Sequence, residues 1–243
     1  MGIVELVLVR HGESLGNVAA ARANAAGAEV IDVGWRDPDV PLSPVGVEQA
    51  NALGAGLQNL LADGRPSRVW SSPYERALQT ARTAMAWSGA APAITVDERL
   101  RDRELGVLDL LTTAGVARRF PDEARRRQWL GKFYHRPPGG ESWADVALRL
   151  RSYLTDLAAV RDAERAVVVA HDAVVMLFRY LCEGFDEQEL LRLGALDPVR
   201  NVALTVLRAE AGGWRLDRYN DVSHLVATGT PVTAHPGVPD VSH

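Results

Sequence analysis

The sequence contains one cysteine, Cys182, in 243 residues. A single thiol cannot form a disulfide within the chain, and it excludes a metal site made of several cysteines. The arginine that a catalytic C-x5-R loop requires is also missing, because Gln188 stands at its position. We therefore expect Cys182 to pack as a small apolar side chain.

The sequence also lacks an excess of positive charge and any long apolar run. Its formal net charge is −4, so no basic surface predicts a nucleic-acid partner. No uncharged segment approaches the roughly 20 residues that cross a membrane, and no signal segment precedes the first apolar run. We therefore expect a cytoplasmic protein without a membrane partner. Hydrophobic residues make up 47% of the chain, which is usual for a globular domain.

Apolar runs and helical repeats alternate along the chain. Residues 6–9 and 167–170 have the aliphatic composition of buried strands, and residues 68–71 and 94–96 that of shorter strands. This alternation predicts an α/β protein, a three-layer α/β/α sandwich with a mainly parallel central sheet. Residues 202–208 and 214–219, split by two glycines, predict a hairpin that adds an antiparallel edge strand.

Residues 1–227 are predicted to form a single domain, because no repeat and no change of composition divides them. The Arg-rich segment at about 107–140 has a helical pattern and ends at the breaker RPPGG. We expect it to be a helical insertion over the carboxyl edge of the sheet, where ligands bind. Residues 228–243 are polar, contain prolines and lack periodicity, which predicts a flexible C-terminal tail.

The first strand ends at Arg10-His11-Gly12, and the carboxyl edge of a parallel sheet is where ligands usually bind. Neutral imidazole is a nucleophile near pH 7, and arginine presents a planar fork of donors that fits two phosphate oxygens. The pair suits phosphoryl transfer through a phosphohistidine, but on these residues alone an Arg-His pair that only solvates the strand end is the favoured interpretation. Residues 12–16 also match the serine-hydrolase pattern G-x-S-x-G, but no earlier strand precedes them to supply an oxyanion donor.

Three further segments carry reactive residues in or near the turns that follow predicted strands. Arg76 follows the second strand, Asp102 follows the third, and His171 follows the strand at 167–170. In a parallel sheet such ends lie side by side although they are far apart in sequence. With Arg10 and His11 they make a set of two histidines, two arginines and a carboxylate that can transfer a phosphoryl group without a metal ion.

These segments resemble, in order and over nearly the whole chain, the motifs of the histidine phosphatase superfamily, also called the phosphoglycerate mutase-like family. The matching blocks are RHGESLGN at 10–17, PLSPVGVEQA at 41–50, SSPYERALQTA at 71–81, LRDRELG at 100–106, GES at 140–142, the strand and histidine at 167–171, and NDVSHL at 220–225. Any one block alone is weak evidence, whereas the ordered series is specific.

The resemblance implies a metal-independent phosphomonoesterase that needs no cofactor and acts on a small phosphorylated metabolite. His11 would attack phosphorus and carry the phosphoryl group. Arg10, Arg76 and His171 would surround the phosphate oxygens. Asp102 has the family acid's spacing to the next glycine, so it would protonate the leaving oxygen and later activate water. That role requires a raised carboxyl pKa, from burial or from the charge of the phosphate.

Five further residues are candidates for binding the substrate. Ser14 and Asn17 would add neutral donors to the phosphate or the rest of the substrate. Arg103 and Arg127 could meet a second anionic group, because an insertion over the site is where specificity within the family resides. Glu104 belongs to the acid motif and competes with the motif's aspartate for the acid role.

One position departs from the family pattern. Asp172 stands where the family usually has glycine after the last histidine. A carboxylate beside a phosphate site repels the substrate unless it points away. It could instead cap the helix that follows, which would shift the placement of His171.

The main alternative is a 2,3-bisphosphoglycerate-dependent phosphoglycerate mutase, which has the same chemistry but returns the phosphoryl group to a sugar acid. We favour the phosphatase because only residues 106–139 separate the acid motif from GES, and because the mutase sequence E-R-H-Y-G is missing. A non-catalytic phosphate-binding protein is disfavoured because the nucleophile and both arginines are present, and a serine hydrolase is remote. The expected partner is a small phosphorylated substrate, and a homodimer is left open.

Overall fold

A computed structural model of the chain describes residues 2–88 and 93–235. Its centre is a six-stranded sheet in the order β3-β2-β4-β1-β5-β6. The strands are β1 (Glu5–Arg10), β2 (Ser67–Ser71), β3 (Ile94–Val96), β4 (Arg165–Ala170), β5 (Leu204–Glu210) and β6 (Gly213–Asp221). The first four pair in parallel, whereas β5 runs antiparallel to both β1 and β6. The predicted mainly parallel sheet with an antiparallel edge is confirmed.

Helices cover both faces of the sheet, as predicted. They are α1 (Leu15–Ala25), α2 (Pro44–Leu61), α3 (Glu75–Ser88), α4 (Thr113–Arg119), α5 (Pro121–Tyr134), α6 (Trp143–Leu157), α7 (Asp172–Glu183), α8 (Glu187–Leu196) and α9 (Ser223–Thr228). The sequence pattern did not predict α9. Across residues 2–88 and 93–235, none of the helices combines the length and the apolar character needed to cross a bilayer.

The central strand β1 is buried on both faces. Leu6 and Leu8 point into a core formed with α6 and α7, whereas Val7 and Val9 point into a second core formed with α2 and α3. Side chains alternate between the faces of a strand, so a strand covered on both sides must be apolar at every position. This requirement explains the continuous aliphatic run that precedes Arg10.

The register of the parallel strands aligns their carboxyl ends. Arg10 pairs with Ala170, so the next residues along β1 and β4, His11 and His171, leave the sheet side by side. On the other side of β4, the Ser72 backbone N–H donates to the Val169 carbonyl oxygen at 2.9 Å. Residues that are about 60 to 160 positions apart in sequence therefore meet at one edge of the sheet.

The segment that we treat as a helical insertion contains two helices rather than one. The Thr112 side chain caps α4 by accepting a hydrogen bond from Gly115 N–H. Phe120 leaves the helical conformation, and Pro121 then opens α5 as its first residue, a position where the missing N–H is not needed. The loop before α4 and residues of α5 line a cavity at the carboxyl edge of the sheet.

The described part of the C-terminal segment, through His235, makes specific hydrogen bonds. The Gln49 side-chain amide on α2 donates to the Pro231 carbonyl oxygen at 3.0 Å and to Thr233 Oγ1 at 2.8 Å. The other atom of the same amide, Oε1, accepts from Glu13 N–H at 2.8 Å. Gln49 therefore connects the loop after β1 to residues 231–233. Residues 236–243 of the predicted tail lie outside the described residues.

Two glycines allow the loop after β1 to lie directly against α2. A Cβ on Gly46 would lie 2.0 Å from the Glu13 carbonyl oxygen, and one on Gly12 would lie 2.7 Å from the Gly46 carbonyl oxygen. Both obstacles are backbone atoms, which cannot move without displacing the loop. The close approach fixes the position of the loop that carries His11.

We predict that Gly46→Ala is strongly destabilising, by at least about 2 kcal/mol, because the added methyl group overlaps backbone. The control is Gly194→Ala in α8, where the nearest atom to an added Cβ is the flexible Met176 Cε at 3.6 Å. That change should be neutral or stabilising by up to about 1 kcal/mol, because alanine favours a helix over glycine. Urea unfolding measures both, and equal effects would contradict the prediction.

Candidate active site

A cavity of about 410 Å³ opens at the carboxyl edge of the sheet. Nine of the ten predicted site residues line it, namely Arg10, His11, Ser14, Asn17, Arg76, Asp102, Arg103, Glu104 and Arg127. The tenth, His171, lies behind this wall, fully buried. The structure therefore brings the predicted residues together, but it places His171 one layer away from the cavity surface.

His11 is buried in the loop between β1 and α1. Its Nδ1 lies 2.7 Å from the Gly12 carbonyl oxygen. A carbonyl oxygen can only accept, so the proton is on Nδ1 and the lone pair is on Nε2. Burial and nearby positive charge, above all that of Arg76, lower the pKa of His11 well below its usual value. The ring is therefore neutral at physiological pH.

The Arg10 guanidinium is held by two backbone carbonyl oxygens. One terminal nitrogen donates to Val199 at 2.6 Å and the other to His235 at 3.0 Å. The third nitrogen, Nε, is buried and has no hydrogen-bond partner among the described residues. A buried cation with an unused donor at the cavity wall favours an anionic ligand.

Arg76 lies in the first turn of α3 and is bound by two carboxylates. Its terminal nitrogens contact Asp37 at 3.1 and 3.2 Å, and one of them also contacts Asp102 at 3.1 Å. Burial alone lowers the pKa of this guanidinium, but the two carboxylates outweigh burial and raise it. Arg76 is thus a permanent positive charge at the centre of the site.

His171 contacts His11, Ser72, Tyr74 and Asp102. Its ring lies edge-on to that of His11, with centroids 5.2 Å apart. Nε2 is 2.9 Å from Ser72 Oγ. Nδ1 is 3.2 Å from Asp102 Oδ2. His171 can therefore orient its neighbours in the site without lining the cavity itself.

Asp172, the departure from the family pattern, is the first residue of α7. His171 holds the N-cap position, and Asp172 Oδ1 accepts from the Ala173 N–H at 2.8 Å. The carboxylate therefore serves the first turn of the helix, where negative charge is favourable. It also lines the cavity, so it adds negative charge near the site.

Burial does not supply the raised carboxyl pKa that the acid role of Asp102 requires. Burial raises the pKa of this carboxyl, but the charges of His171 and Arg76 outweigh burial and hold it well below its usual value. The second oxygen, Oδ1, accepts from the Arg103 N–H at 2.9 Å, which favours the charged form further. Asp102 is ionised in this geometry.

Glu104, the competitor for the acid role, has a different environment. Its Oε1 accepts a hydrogen bond from the Tyr74 hydroxyl at 2.6 Å. Burial and this carboxylate raise the pKa of Tyr74, so the phenol remains a donor. Glu104 lines the cavity, whereas Asp102 is the carboxylate that contacts both Arg76 and His171.

Ser14 and Asn17 form a capping box at the start of α1. Ser14 Oγ accepts from the Asn17 N–H, and Asn17 Oδ1 accepts from the Ser14 N–H, both at 3.1 Å. The two predicted neutral donors therefore also hold the loop and helix in place. Both still line the cavity.

Basic side chains occupy the wall formed by the insertion. Burial and the neighbouring charge of Arg127 lower the pKa of Arg103 to about 10. Arg103 donates to the backbone carbonyl oxygens of Glu141 and His135, at 2.6 and 3.0 Å. Lys132 lies 4.8 Å from the centroid of the Trp143 ring, and both line the cavity with Arg127.

The comparison with known families agrees with this geometry. A profile of the histidine phosphatase superfamily (branch 1) matches residues 6–222. The chain belongs to this superfamily. The resemblance inferred from the ordered motifs is therefore confirmed, and the matched range includes every predicted site residue.

Relatives within the histidine phosphatase superfamily carry different names. A metal-independent phosphoserine phosphatase of Arabidopsis thaliana is 29% identical over 227 residues, which is 93% of this chain and 85% of that protein. A 2,3-bisphosphoglycerate-dependent phosphoglycerate mutase of Methylobacterium radiotolerans is 33% identical over 189 residues, or 76% of this chain and 82% of that protein. Phosphatase and mutase activities are therefore both represented among the relatives.

Solved histidine phosphatase structures share the fold. A mycobacterial glucosyl-3-phosphoglycerate phosphatase in complex with inorganic phosphate has a TM-score of 0.68 and 26% identity, covering 91% of this chain and 99% of its own. A mycobacterial hydrolase has a TM-score of 0.69 and 27% identity, covering 90% and 98%.

Three residues of this histidine phosphatase site escaped the sequence reasoning. Asp37 and Asp109 line the cavity from loops, and His235 reaches it from the C-terminal segment. The pKa of Asp109 is raised, mainly by burial and to a smaller extent by the negative charge of Asp37. Asp37 stands close to the PLS block, which is the one sequence signal that could have pointed to it.

We predict that acidification destabilises this histidine phosphatase partly through His11. The folded state keeps His11 neutral, whereas an unfolded chain binds a proton there below about pH 6.5. The unfolded state then binds more protons, so the free energy of unfolding falls as pH falls, by up to about 1.4 kcal/mol per pH unit for one proton.

The variant His11→Asn lacks this contribution, so its unfolding free energy should fall less steeply below about pH 6.5. Urea unfolding over a pH series measures both slopes. Above about pH 7 the slopes should coincide, because histidine is then neutral in the folded and unfolded states. Equal slopes on the acid side would contradict the prediction.

Proposed function

We propose that this protein is a metal-independent phosphomonoesterase that acts through a phosphohistidine at His11. The observation that carries the proposal is the tautomer of His11, whose Nδ1 proton is held by the Gly12 carbonyl oxygen while Nε2 keeps its lone pair. Two buried guanidinium groups, Arg10 and Arg76, share the cavity with that ring. A neutral nucleophile beside fixed positive charge suits attack on a phosphate.

In the first step, His11 Nε2 attacks phosphorus and the bond from phosphorus to the ester oxygen breaks. Asp102 in its protonated form gives its proton to the departing oxygen, which leaves as an alcohol. In the second step a water oxygen attacks phosphorus, the P–N bond breaks and Asp102 takes the proton back. Arg10 and Arg76 stabilise the negative charge on the phosphoryl oxygens throughout.

The low pKa of Asp102 constrains the first step. The carboxylate must gain a proton after the substrate arrives, and the phosphoryl group provides the means. Its negative charge offsets the positive charge of Arg76, which is one of the two charges that keep Asp102 ionised. Between the two steps, the same carboxylate is ready to act as the base that activates water.

The substrate that we propose is a small phosphomonoester with a second anionic group. Arg103 and Arg127 lie close enough for the charge of one to lower the pKa of the other, and an anion relieves such repulsion. Lys132 adds a further cation to the same wall. Phosphoserine, phosphoglycerate and glucosyl-3-phosphoglycerate, which appear in the names of the relatives, all carry a carboxylate beside the phosphate ester.

A phosphoglycerate mutase is the second candidate, and the relatives that are 32 to 33% identical support it. A mutase must retain its product intermediate and return the phosphoryl group, whereas a phosphatase must admit water. The short insertion, in which only residues 106–139 separate the acid motif from GES, favours the phosphatase. Stimulation of 3-phosphoglycerate isomerisation by 2,3-bisphosphoglycerate would decide for the mutase.

We expect the protein to hydrolyse p-nitrophenyl phosphate in the presence of EDTA, and His11→Ala to lower kcat by at least about a thousandfold. Acid-quenched labelling with ³²P-labelled substrate should detect a phosphoenzyme in the wild type only. The control His224→Asn changes a buried histidine that does not line the cavity, and it should retain activity below its unfolding temperature. EDTA-resistant turnover by His11→Ala would refute the mechanism.

The acid is tested by comparing Asp102→Asn with Glu104→Gln. We expect Asp102→Asn to lower turnover of an alkyl phosphate by about a hundredfold or more, because a poor leaving group needs the proton. The loss should be smaller with p-nitrophenyl phosphate, whose leaving group is stable as an anion. A greater loss in Glu104→Gln with the alkyl ester would assign the acid role to Glu104 instead.

A further inference from the structure

Both terminal nitrogens of Arg76 are fully used by oxygen atoms of the protein. One donates to the Asp37 carbonyl oxygen at 2.7 Å and to Asp37 Oδ1 at 3.1 Å. The other donates to Asp37 Oδ2 at 3.2 Å and to Asp102 Oδ2 at 3.1 Å. The Asp37 carboxylate thus binds the guanidinium with two parallel hydrogen bonds, which is also how arginine binds two oxygens of a phosphate.

The two carboxylates differ in how firmly they are fixed. The other oxygen of Asp102, Oδ1, accepts a hydrogen bond from the Arg103 N–H, and Oδ2 also contacts His171 Nδ1. Asp37 lies in a single turn of 3₁₀ helix, Asp37–Asp39, and 34% of its side chain is exposed, against 24% for Asp102. Its carbonyl oxygen would keep its bond to Arg76 if the side chain rotated away, so the turn need not move.

We propose that Asp37 is a specificity-determining residue whose carboxylate exchanges with the phosphoryl group on Arg76. The inference rests on the proposed function, because it requires that Arg76 binds phosphate. Substrate binding then replaces one anion by another on the same two nitrogens, and the displaced carboxylate turns toward the open part of the cavity. On product release the carboxylate returns and competes with inorganic phosphate.

The exchange has a consequence for selectivity. A singly charged anion gains little by displacing a carboxylate of equal charge, whereas a phosphomonoester dianion gains an additional charge interaction with Arg10 and Arg76. Asp37 therefore favours dianions over monoanions and weakens retention of the product. Neutralising Asp37 should remove the competitor and tighten phosphate binding.

The test is calorimetric titration of inorganic phosphate into the wild type, Asp37→Asn and Asp39→Asn. Asp39 is the matched control, because it lies in the same turn but binds Arg36 at the surface. We expect Asp37→Asn to bind phosphate about tenfold more tightly and Asp39→Asn to match the wild type. In assays, phosphate should inhibit Asp37→Asn at a correspondingly lower concentration, and KM should fall more than kcat.

Restoring the charge provides a second check, because Asp37→Glu should bind phosphate closer to the wild-type strength than Asp37→Asn does. Unchanged or weaker phosphate binding in Asp37→Asn, with His11-dependent hydrolysis intact, would overturn this inference and leave the proposed function standing. Failure of phosphate to bind to any of these proteins would overturn both. If Asp37→Asn does not fold, tighter binding by Asp37→Glu than by the wild type would also overturn the inference.

Discussion

The parallel pairing of β1 with β4 is the constraint on which the site depends. Arg10 is in register with Ala170, so the residues that follow, His11 and His171, must leave the sheet as neighbours. A shift of one residue would exchange the two buried faces of β1, which the cores on both sides prevent. The hydrophobic interior thus sets the geometry of the polar edge, and the catalytic arrangement follows from packing rather than from the loops alone.

The two arginines beside His11 have different hydrogen-bond partners. Arg76 is neutralised by Asp37 and Asp102, while Arg10 is held by neutral carbonyl oxygens and keeps one buried donor unused. The two arginines therefore play different parts. Arg10 has a buried donor, Nε, that an anion could bind directly. In our proposal, an anion binds Arg76 by replacing a carboxylate that already contacts it. The low pKa of Asp102 follows from the charges of His171 and Arg76, whereas the low pKa of His11 follows first from burial and then from the charges around it.

The sequence was sufficient to predict the strands and helices that are set by the local pattern of apolar residues. The aliphatic runs predicted the sheet, and strand ends predicted which reactive residues would converge. Three kinds of feature could not be predicted. The protonation of Asp102 depends on the distances to Arg76 and His171, which the sequence does not contain. Asp37 lies in a single 3₁₀ turn that has no periodic pattern in the sequence, and His235 is brought to the site by tertiary hydrogen bonds. The break between α4 and α5 was visible only as Pro121, within an otherwise helical pattern.

The buried amide of Gln49 has a consequence for biosynthesis. It binds the backbone of the loop after β1 with one atom and the segment around Pro231 and Thr233 with the other. Arg10 similarly needs the carbonyl oxygen of His235. During translation the first strand is synthesised long before residues 231–235, so these contacts can form only after residue 235 has left the ribosome.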